Sequence, residues 1–140
     1  MSQTVLITGA SNGIGKACAR VFARKGYDLV LVARHREKLE AVKAELSEYD
    51  VQIKVIAMDL TGEDAAVDLY NDLVLDDISI DILVNNAGFG DHGAFHDSSW
   101  EKQKKMVLLN IVALMQMTYV FGQSMKRRKK GRILNVASIA

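Results

Sequence analysis

A doubly wound α/β fold with a parallel sheet is predicted by two features of the sequence. Short apolar runs alternate with longer segments of helical period along the whole chain. The apolar runs are nearly continuous, which indicates strands that helices cover on both faces. Since crossovers between parallel strands are right-handed, we expect the strand order 3-2-1-4-5 in a three-layer αβα arrangement. Residues 1–140 contain no linker-like tract and are predicted to form one domain.

The elements follow in a regular order. Strands are predicted over residues 4–8, 28–33, 51–58, 81–84 and 132–137. Between them lie a first helix that Gly26 ends, helices over residues 36–49 and 63–75, and a long helical region from about residue 98 to 130. In the second helix the apolar side is formed by Leu39, Val42 and Leu46. Helical spacing predicts that the packed side of the first helix contains Ile14, Ala17, Cys18, Val21 and Phe22.

Composition narrows the possible function classes. The chain has 140 residues, of which 49% are hydrophobic and 25% are charged, and its formal net charge is +1. This balance is ordinary for a globular protein and predicts no global attraction to nucleic acid or to a membrane. We expect no apolar run long enough to span a bilayer, and the first residues do not resemble a signal peptide. Together with the single Cys18, these features favour a cytoplasmic location.

A glycine-rich loop, TGASNGIG at residues 8–15, joins the first predicted strand to the first helix. At such a junction Gly9 permits a tight turn, Gly13 lets the backbone approach phosphates, and Gly15 lets the helix pack close to the strand. Exposed amide groups and the helix dipole then favour an anion such as a nucleotide pyrophosphate. A purely structural turn is the alternative.

Further motifs follow this loop in a fixed order. Asp59 and Leu60 follow the third strand, NNAG at residues 85–88 follows the fourth, Asn110 lies within the long helix, and Ser138 ends the fifth strand. With the TGxxxGxG spacing, this series resembles the short-chain dehydrogenase/reductase family. The resemblance implies a Rossmann-type dinucleotide-binding domain that forms the N-terminal part of a longer fold. It also implies that the cofactor is bound by Gly9, Ser11, Asn12, Gly13, Ile14, Gly15, Asp59, Leu60, Asn86, Ala87 and Gly88.

The end of the second strand indicates which dinucleotide is preferred. An acidic residue there commonly binds the ribose hydroxyls of NAD, whereas an arginine accommodates the 2′-phosphate of NADP. Here Ala33 provides no carboxylate, and Arg34 offers a planar guanidinium. The alternative is that Arg34 is only a solvated residue before a helix, although His35, Arg36 and Lys38 keep the region positive. NADP(H) is therefore favoured over NAD(H).

The resemblance also implies a chemistry, which is hydride transfer between a nicotinamide and a small-molecule carbonyl or secondary alcohol. Ser138 would hydrogen-bond the substrate oxygen, Asn110 would support a proton relay, and a Tyr-x-x-x-Lys motif would supply the acid. None of the four tyrosines is followed by lysine at the required spacing. The chain is therefore interpreted as truncated before that motif and is expected to have little or no turnover alone. The alternative is a catalytically silent dinucleotide-binding or interaction module that acts with another chain.

Three other features of the sequence resemble functional signals. His92 and His96 lie in one loop, but no cysteine or third histidine is nearby, so no metal site is predicted. The basic run KRRKKGR at residues 126–132 is interpreted as a solvated helix end rather than a nucleic-acid site. The long helix is apolar around much of its circumference, so it is predicted to be either wholly buried or shared with another subunit. The family resemblance favours the shared packing and implies a homo-oligomer. No membrane partner is expected.

Overall fold

Five parallel strands form the centre of the computed structural model, which describes residues 2–138. In chain order they are β1 (Thr4–Thr8), β2 (Asp28–Ala33), β3 (Ile53–Ala57), β4 (Ile82–Asn85) and β5 (Arg132–Asn135). Across the sheet their order is β3-β2-β1-β4-β5. The predicted α/β class and strand order are confirmed.

Helices connect consecutive strands. They are α1 (Gly13–Arg24), α2 (Arg36–Glu45), α3 (Ala65–Leu75), α4 (Trp100–Val107) and α5 (Leu114–Arg128). A π-helical turn, Leu108–Ala113, joins α4 to α5 without a break, and a short 3₁₀ turn, Phe95–Asp97, precedes α4. The long helical region is thus confirmed, whereas the sequence did not predict its π-helical turn.

Two hydrophobic clusters hold the helices to opposite faces of the sheet, because successive strand residues point to opposite sides. Val5, Ile7, Leu29 and Leu31 pack with α1 and α2. Of the predicted apolar side of the second helix, Leu39 and Val42 are buried within α2, and Leu46 is buried directly after it. The other face, which includes Leu6, Val30 and Leu83, packs with Leu69 and Leu73 of α3 and with Met117 and Phe121 of α5. The result is the expected three-layer arrangement.

The packed side of α1 differs from the prediction. Ile14 and Val21 are exposed by 59% and 42%, and Ala17 is also exposed. The fully buried positions are Gly15, Ala19 and Ala23, with Cys18 and Phe22 partly buried beside them. The reason is the close approach of α1 to the chain after β1. Gly15 allows that approach. Ala19 and Ala23 follow at four-residue spacing, so they lie on the same face of the helix, toward the sheet.

Asp81 joins three elements at the amino edge of the sheet. Its Oδ2 accepts a hydrogen bond from the Thr4 N–H at 3.1 Å, and its Oδ1 lies 3.2 Å from Arg128 Nη1 and 3.0 Å from Lys130 Nζ. Burial alone would raise the pKa of Asp81, but the hydrogen bonds from Lys130, Thr4 and Arg128 outweigh it, so the pKa is lowered. Part of the basic run therefore secures the end of α5 to β1 and β4.

The helical region Trp100–Arg128 departs from one expectation. By length and composition alone, its 29 residues include a window apolar enough to cross a membrane, with a mean hydropathy of 1.4 and 17% of the window buried. The expectation that no segment would meet this criterion is wrong, because residues 106–125 carry no charged side chain. In this fold the same region packs Ala113, Met117, Phe121 and Met125 against the sheet. A helix that packs against a core meets the same test, so the finding does not assign a membrane.

Candidate functional site

The predicted site residues cluster at the carboxyl edge of the sheet, around the gap between β1 and β4. The chain leaves β1 toward β2 on one side and later returns to pair β4 with β1 on the other side. Such a reversal of strand order opens a crevice at the carboxyl ends, where open α/β sheets bind ligands. The loop 9–12, which follows β1, and the segment 86–99, which follows β4, border this crevice.

The glycine loop has a backbone that requires its glycines. Gly9 and Gly13 have positive φ angles of 63° and 52°. A Cβ at Gly15 would collide with the carbonyl oxygen of Gly9 and would lie 2.5 Å from Asn86 Nδ2. At Gly13 the position of a Cβ is open space, beside a first helical turn without acidic side chains. A phosphate can therefore approach the N-terminus of α1 at Gly13.

Thr8 and Asn86 connect this loop to the NNAG segment. The Thr8 hydroxyl oxygen accepts hydrogen bonds from the N–H groups of Asn86 and Ala87, both at 2.9 Å. In return, Asn86 Nδ2 donates to the carbonyl oxygens of Thr8 and Gly9, both at 3.1 Å. The side chain of Asn86 thus holds the glycine loop. Thr8 was not among the predicted site residues, although it is the first residue of the recognised motif.

Asn110 is tied to the chain just after β4. Its Oδ1 accepts from the Phe89 N–H at 3.0 Å, and its Nδ2 donates to the Phe89 carbonyl oxygen at 2.8 Å. A Cβ at Gly88 would lie 2.9 Å from Asn110 Oδ1, so a larger residue there would displace the Asn110 side chain. Asn110 lies in the π-helical turn, and such turns often occur at functional positions.

Arg34 and Asp59 follow the neighbouring strands β2 and β3. Asp59 Oδ1 accepts from the N–H of Thr61 at 3.0 Å and from its hydroxyl at 2.8 Å. The pKa of Asp59 is lowered, chiefly by the N–H of Thr61, with smaller effects of the Thr61 hydroxyl and of the Arg34 charge. The positive charge of the Arg34 guanidinium therefore acts on the carboxylate of Asp59, after the neighbouring strand. Leu60 is 6% exposed and belongs to the hydrophobic cluster that contains α3 and α5.

The remaining predicted residues lie on the same edge. Ser11 is half-buried, whereas Asn12 and Ile14 are exposed at the start of α1. Ser138 is exposed and follows the end of β5 by three residues. Below it, Asn85 Nδ2 donates to Asn135 Oδ1 at 2.9 Å and to Thr118 Oγ1 at 3.0 Å, which joins β4, β5 and α5. The sequence motifs include Asn85 but did not indicate this network.

The two loop histidines do not form part of a larger cluster. His96 Nε2 lies 3.5 Å from Asp97 Oδ1, and both side chains are highly exposed. Within residues 2–138, no group of three or more His, Cys, Asp or Glu side chains is arranged to hold a metal ion.

Comparison with known proteins gives consistent matches over nearly the whole chain. The sequence model described as short chain dehydrogenase matches residues 3–140. A very-long-chain 3-oxoacyl-CoA reductase of Phaeosphaeria nodorum is 37% identical over 95% of this chain and 40% of its own length. A short-chain dehydrogenase from Sphingobium yanoikuyae in complex with NADPH is 38% identical, with a TM-score of 0.90 over 98% of this chain and 54% of that one.

A second solved structure extends the comparison. The bulky-bulky ketone specific alcohol dehydrogenase from Comamonas testosteroni is 38% identical, with a TM-score of 0.89 over 98% of this chain and 55% of that one. The chain therefore spans about half the length of these proteins.

Proposed function

Because the chain belongs to the short-chain dehydrogenase family, we propose that it forms the NADP(H)-binding part of an oxidoreductase that interconverts carbonyls and secondary alcohols. The single observation that carries this proposal is the crevice between β1 and β4. There the glycine loop is fastened to the NNAG segment by the hydrogen bonds of Thr8 and Asn86.

The residues around the crevice fit a dinucleotide. Open space at Gly13 and the N–H groups of the first turn of α1 suit the pyrophosphate. We assign Asp59, after β3, to accept from an adenine amino group, and the NNAG backbone to border the opposite side of the crevice. When bound, a nicotinamide dinucleotide supplies or accepts the hydride. The work of this chain is to bind and orient it.

The preference for NADP(H) over NAD(H) rests on the end of β2. Ala33 provides no carboxylate that would repel a 2′-phosphate, and Arg34 is exposed directly after it. A guanidinium can donate two parallel hydrogen bonds to a phosphate. The NADPH bound to the Sphingobium relative supports the same assignment.

Replacing Arg34 tests the cofactor assignment. We expect Arg34→Ala to weaken NADPH binding roughly 10- to 100-fold while leaving NADH binding nearly unchanged, because a charged hydrogen-bond partner of the 2′-phosphate is lost. Titration of NADPH and NADH by nicotinamide fluorescence measures both affinities. Arg24→Ala is the matched control, since Arg24 is exposed in the last turn of α1, at the end of that helix away from the glycine loop. Equal losses for both nucleotides would contradict the assignment, and absence of binding to wild type would contradict the proposed function.

The catalytic part of the proposal concerns Ser138 and Asn110. We assign Ser138 to the substrate oxygen and Asn110 to support of a proton relay, with an acidic tyrosine and its lysine supplied from outside residues 1–140. Residues 1–140 alone are then expected to bind NADPH without oxidising it in the presence of a ketone. The second candidate is a dinucleotide-binding or interaction module that acts with another chain, which the hydrogen bonds of Thr8 and Asn86 to the glycine loop support equally.

The substrate is proposed only as a carbonyl or secondary alcohol of small-molecule size. One relative is a very-long-chain 3-oxoacyl-CoA reductase, and another is an alcohol dehydrogenase specific for bulky-bulky ketones. These two relatives favour a substrate with large substituents on both sides of the carbonyl carbon.

We also propose that the chain forms a homo-oligomer through the outer side of α4 and α5. Val107, Ile111, Met115 and Tyr119 recur every four residues there and are exposed by 48%, 52%, 62% and 69%. Side chains at this spacing form one ridge along a helix, and such ridges pack into the grooves of a second helix. A second copy of the chain would bury an apolar stripe that is otherwise in water.

A charge in this stripe tests the oligomer. We expect Met115→Glu to convert a dimer or larger assembly to a monomer in sedimentation experiments, because association would bury the introduced carboxylate without a partner. The thermal stability of the isolated subunit should change little, since Met115 is exposed. Ala41→Glu, an equally new charge at an exposed position of α2 on the opposite face of the sheet, serves as the control. A wild-type chain that remains monomeric at high concentration would refute this proposal.

A further inference from the structure

The segment between β4 and α4 contains a polar cluster that none of the site assignments includes. The carboxylate of Asp91 accepts from the Ser98 hydroxyl at 2.6 Å, from Lys102 Nζ at 2.5 Å and from the His92 N–H at 3.0 Å. The Asp91 side chain is only 16% exposed. We refer to Asp91, Ser98 and Lys102 as the Asp91 clasp.

The clasp fixes the far end of this segment to the start of a helix. Ser99 is the N-cap of α4 and accepts from the Lys102 N–H at 3.2 Å. Lys102 therefore contributes its backbone to the cap and its ammonium group to Asp91. Its interaction with Asp91 is charge-assisted, and such hydrogen bonds are stronger than neutral ones. Because Lys102 and Ser98 lower the pKa of Asp91 to about 2, the carboxylate stays charged at neutral pH.

The near end of the segment is fixed to the same continuous helix. Asn110 holds the Phe89 backbone through both its N–H and its carbonyl oxygen. Lys102 and Asn110 are eight positions apart, which corresponds to roughly 12 Å along a helix. Residues 89–98 are therefore attached at two separate points of one rigid element. A segment attached in this way cannot move far without breaking one of the two attachments.

We propose that Asp91 is a positioning residue, which with Lys102 fixes residues 89–98 in one conformation before ligand binds and so sets the orientation of Asn110. The inference rests on the proposed function, in which Asn110 supports catalysis. The segment borders the crevice at the carboxyl edge. Phe95, exposed by 73%, lies within the segment, and Trp100, exposed by 70%, is the first residue of α4. The clasp therefore also fixes where these two aromatic side chains are presented.

Hydrogen–deuterium exchange without nucleotide is the primary test. We expect Asp91→Asn and Lys102→Met each to speed exchange of the Phe89 amide and its neighbours about tenfold or more, with the strands unaffected, because the charged hydrogen bond that secures the segment is lost. Asp97→Asn is the control for the first variant, since Asp97 lies in the same segment with its side chain 77% exposed. Lys104→Met, on the same helix, is the control for the second.

Two additional measurements separate positioning from general stability. The side-chain amide NMR signals of Asn110 should shift in Asp91→Asn, while the melting temperature stays near that of Asp97→Asn. Lys102→Arg, which keeps the charge, should restore both the exchange rate and the signals. Equal exchange in Asp91→Asn and Asp97→Asn would overturn the inference, and so would faster exchange spread over all strands. Since none of these measurements uses nucleotide, a failure of NADPH to bind would affect the proposed function alone.

Discussion

Gly15→Ala is expected to destabilise the protein by about 3 kcal/mol, the upper part of the range for overpacking, and to abolish NADPH binding. The added Cβ would collide with the Gly9 carbonyl oxygen, which is backbone and cannot rotate away, and would also displace Asn86. Asn86 in turn holds the carbonyl groups of Thr8 and Gly9. One methyl group would therefore separate α1 from the glycine loop. Urea denaturation measures the stability, and nicotinamide fluorescence measures binding.

The steric effect and the helix propensity of alanine predict opposite changes in stability for Gly15→Ala. Alanine is intrinsically better than glycine in a helix by about 1 kcal/mol, so propensity alone predicts that Gly15→Ala stabilises. Gly122→Ala in α5 is the matched control, because its Cβ would make only an ordinary contact, 3.9 Å from Ile133 Cδ1. We expect the control to be neutral or stabilising. Equal changes for the two variants would contradict the steric role of Gly15.

Asp81→Asn is expected to cost about 2–3 kcal/mol of folding free energy at neutral pH. The substitution keeps the shape of the side chain but removes the charge that Arg128 and Lys130 share. Asp81 is 8% exposed, so solvent screens this interaction less than it would a surface pair. Asp97→Asn, at a highly exposed carboxylate, is the control and should change stability little.

The stability difference between wild type and Asp81→Asn should also depend on pH. The pKa of Asp81 is lowered in the folded state, so the unfolded chain binds the proton more readily. The stabilisation by this carboxylate is complete above the unfolded pKa of about 3.9 and is lost as the pH falls through the lower, folded pKa. The stability difference between wild type and Asp81→Asn should therefore shrink below about pH 4. A difference that stays constant as the pH falls would show that the charge is not its source.

The sequence predicted the strands well where buried apolar runs determine them. The bounds of β1 and β2 agree with the prediction, whereas β3 is shorter than the predicted 51–58 and β4 begins after Asp81. The sequence predicts Asp81 as the first residue of a strand. In the structure it precedes β4 and forms ion pairs with Arg128, at the end of α5, and with Lys130 just after that helix. The apolar spacing does not indicate the packed side of α1, because Gly15 and two alanines form it. A pattern of large apolar residues does not reveal such a face, although a helix that packs very close to a sheet requires small residues there.

For the site, the motifs predicted which loops lie close together but not which hydrogen bonds join them. The glycine loop and NNAG do lie at one edge, as parallel strands require. Thr8 and Asn86 are far apart in sequence, and only the pairing of β1 with β4 brings a hydroxyl beside two amide groups. The contact between Asp91 and Lys102 likewise depends on the path of an irregular segment. Such contacts have no periodicity from which they could be predicted.

The π-helical turn has a consequence for changes in chain length. Its hydrogen bonds join residues five apart instead of four, so the turn holds one residue more than the same length of α-helix. Deleting one residue between 108 and 113 would therefore convert the turn to α-helix and leave α4 and α5 in nearly the same register. Met117 and Phe121 would keep their places in the core and Lys102 its place beside Asp91, while Asn110 would lose the local backbone geometry that directs it to Phe89. A one-residue deletion in this turn should accordingly preserve the fold and alter the site.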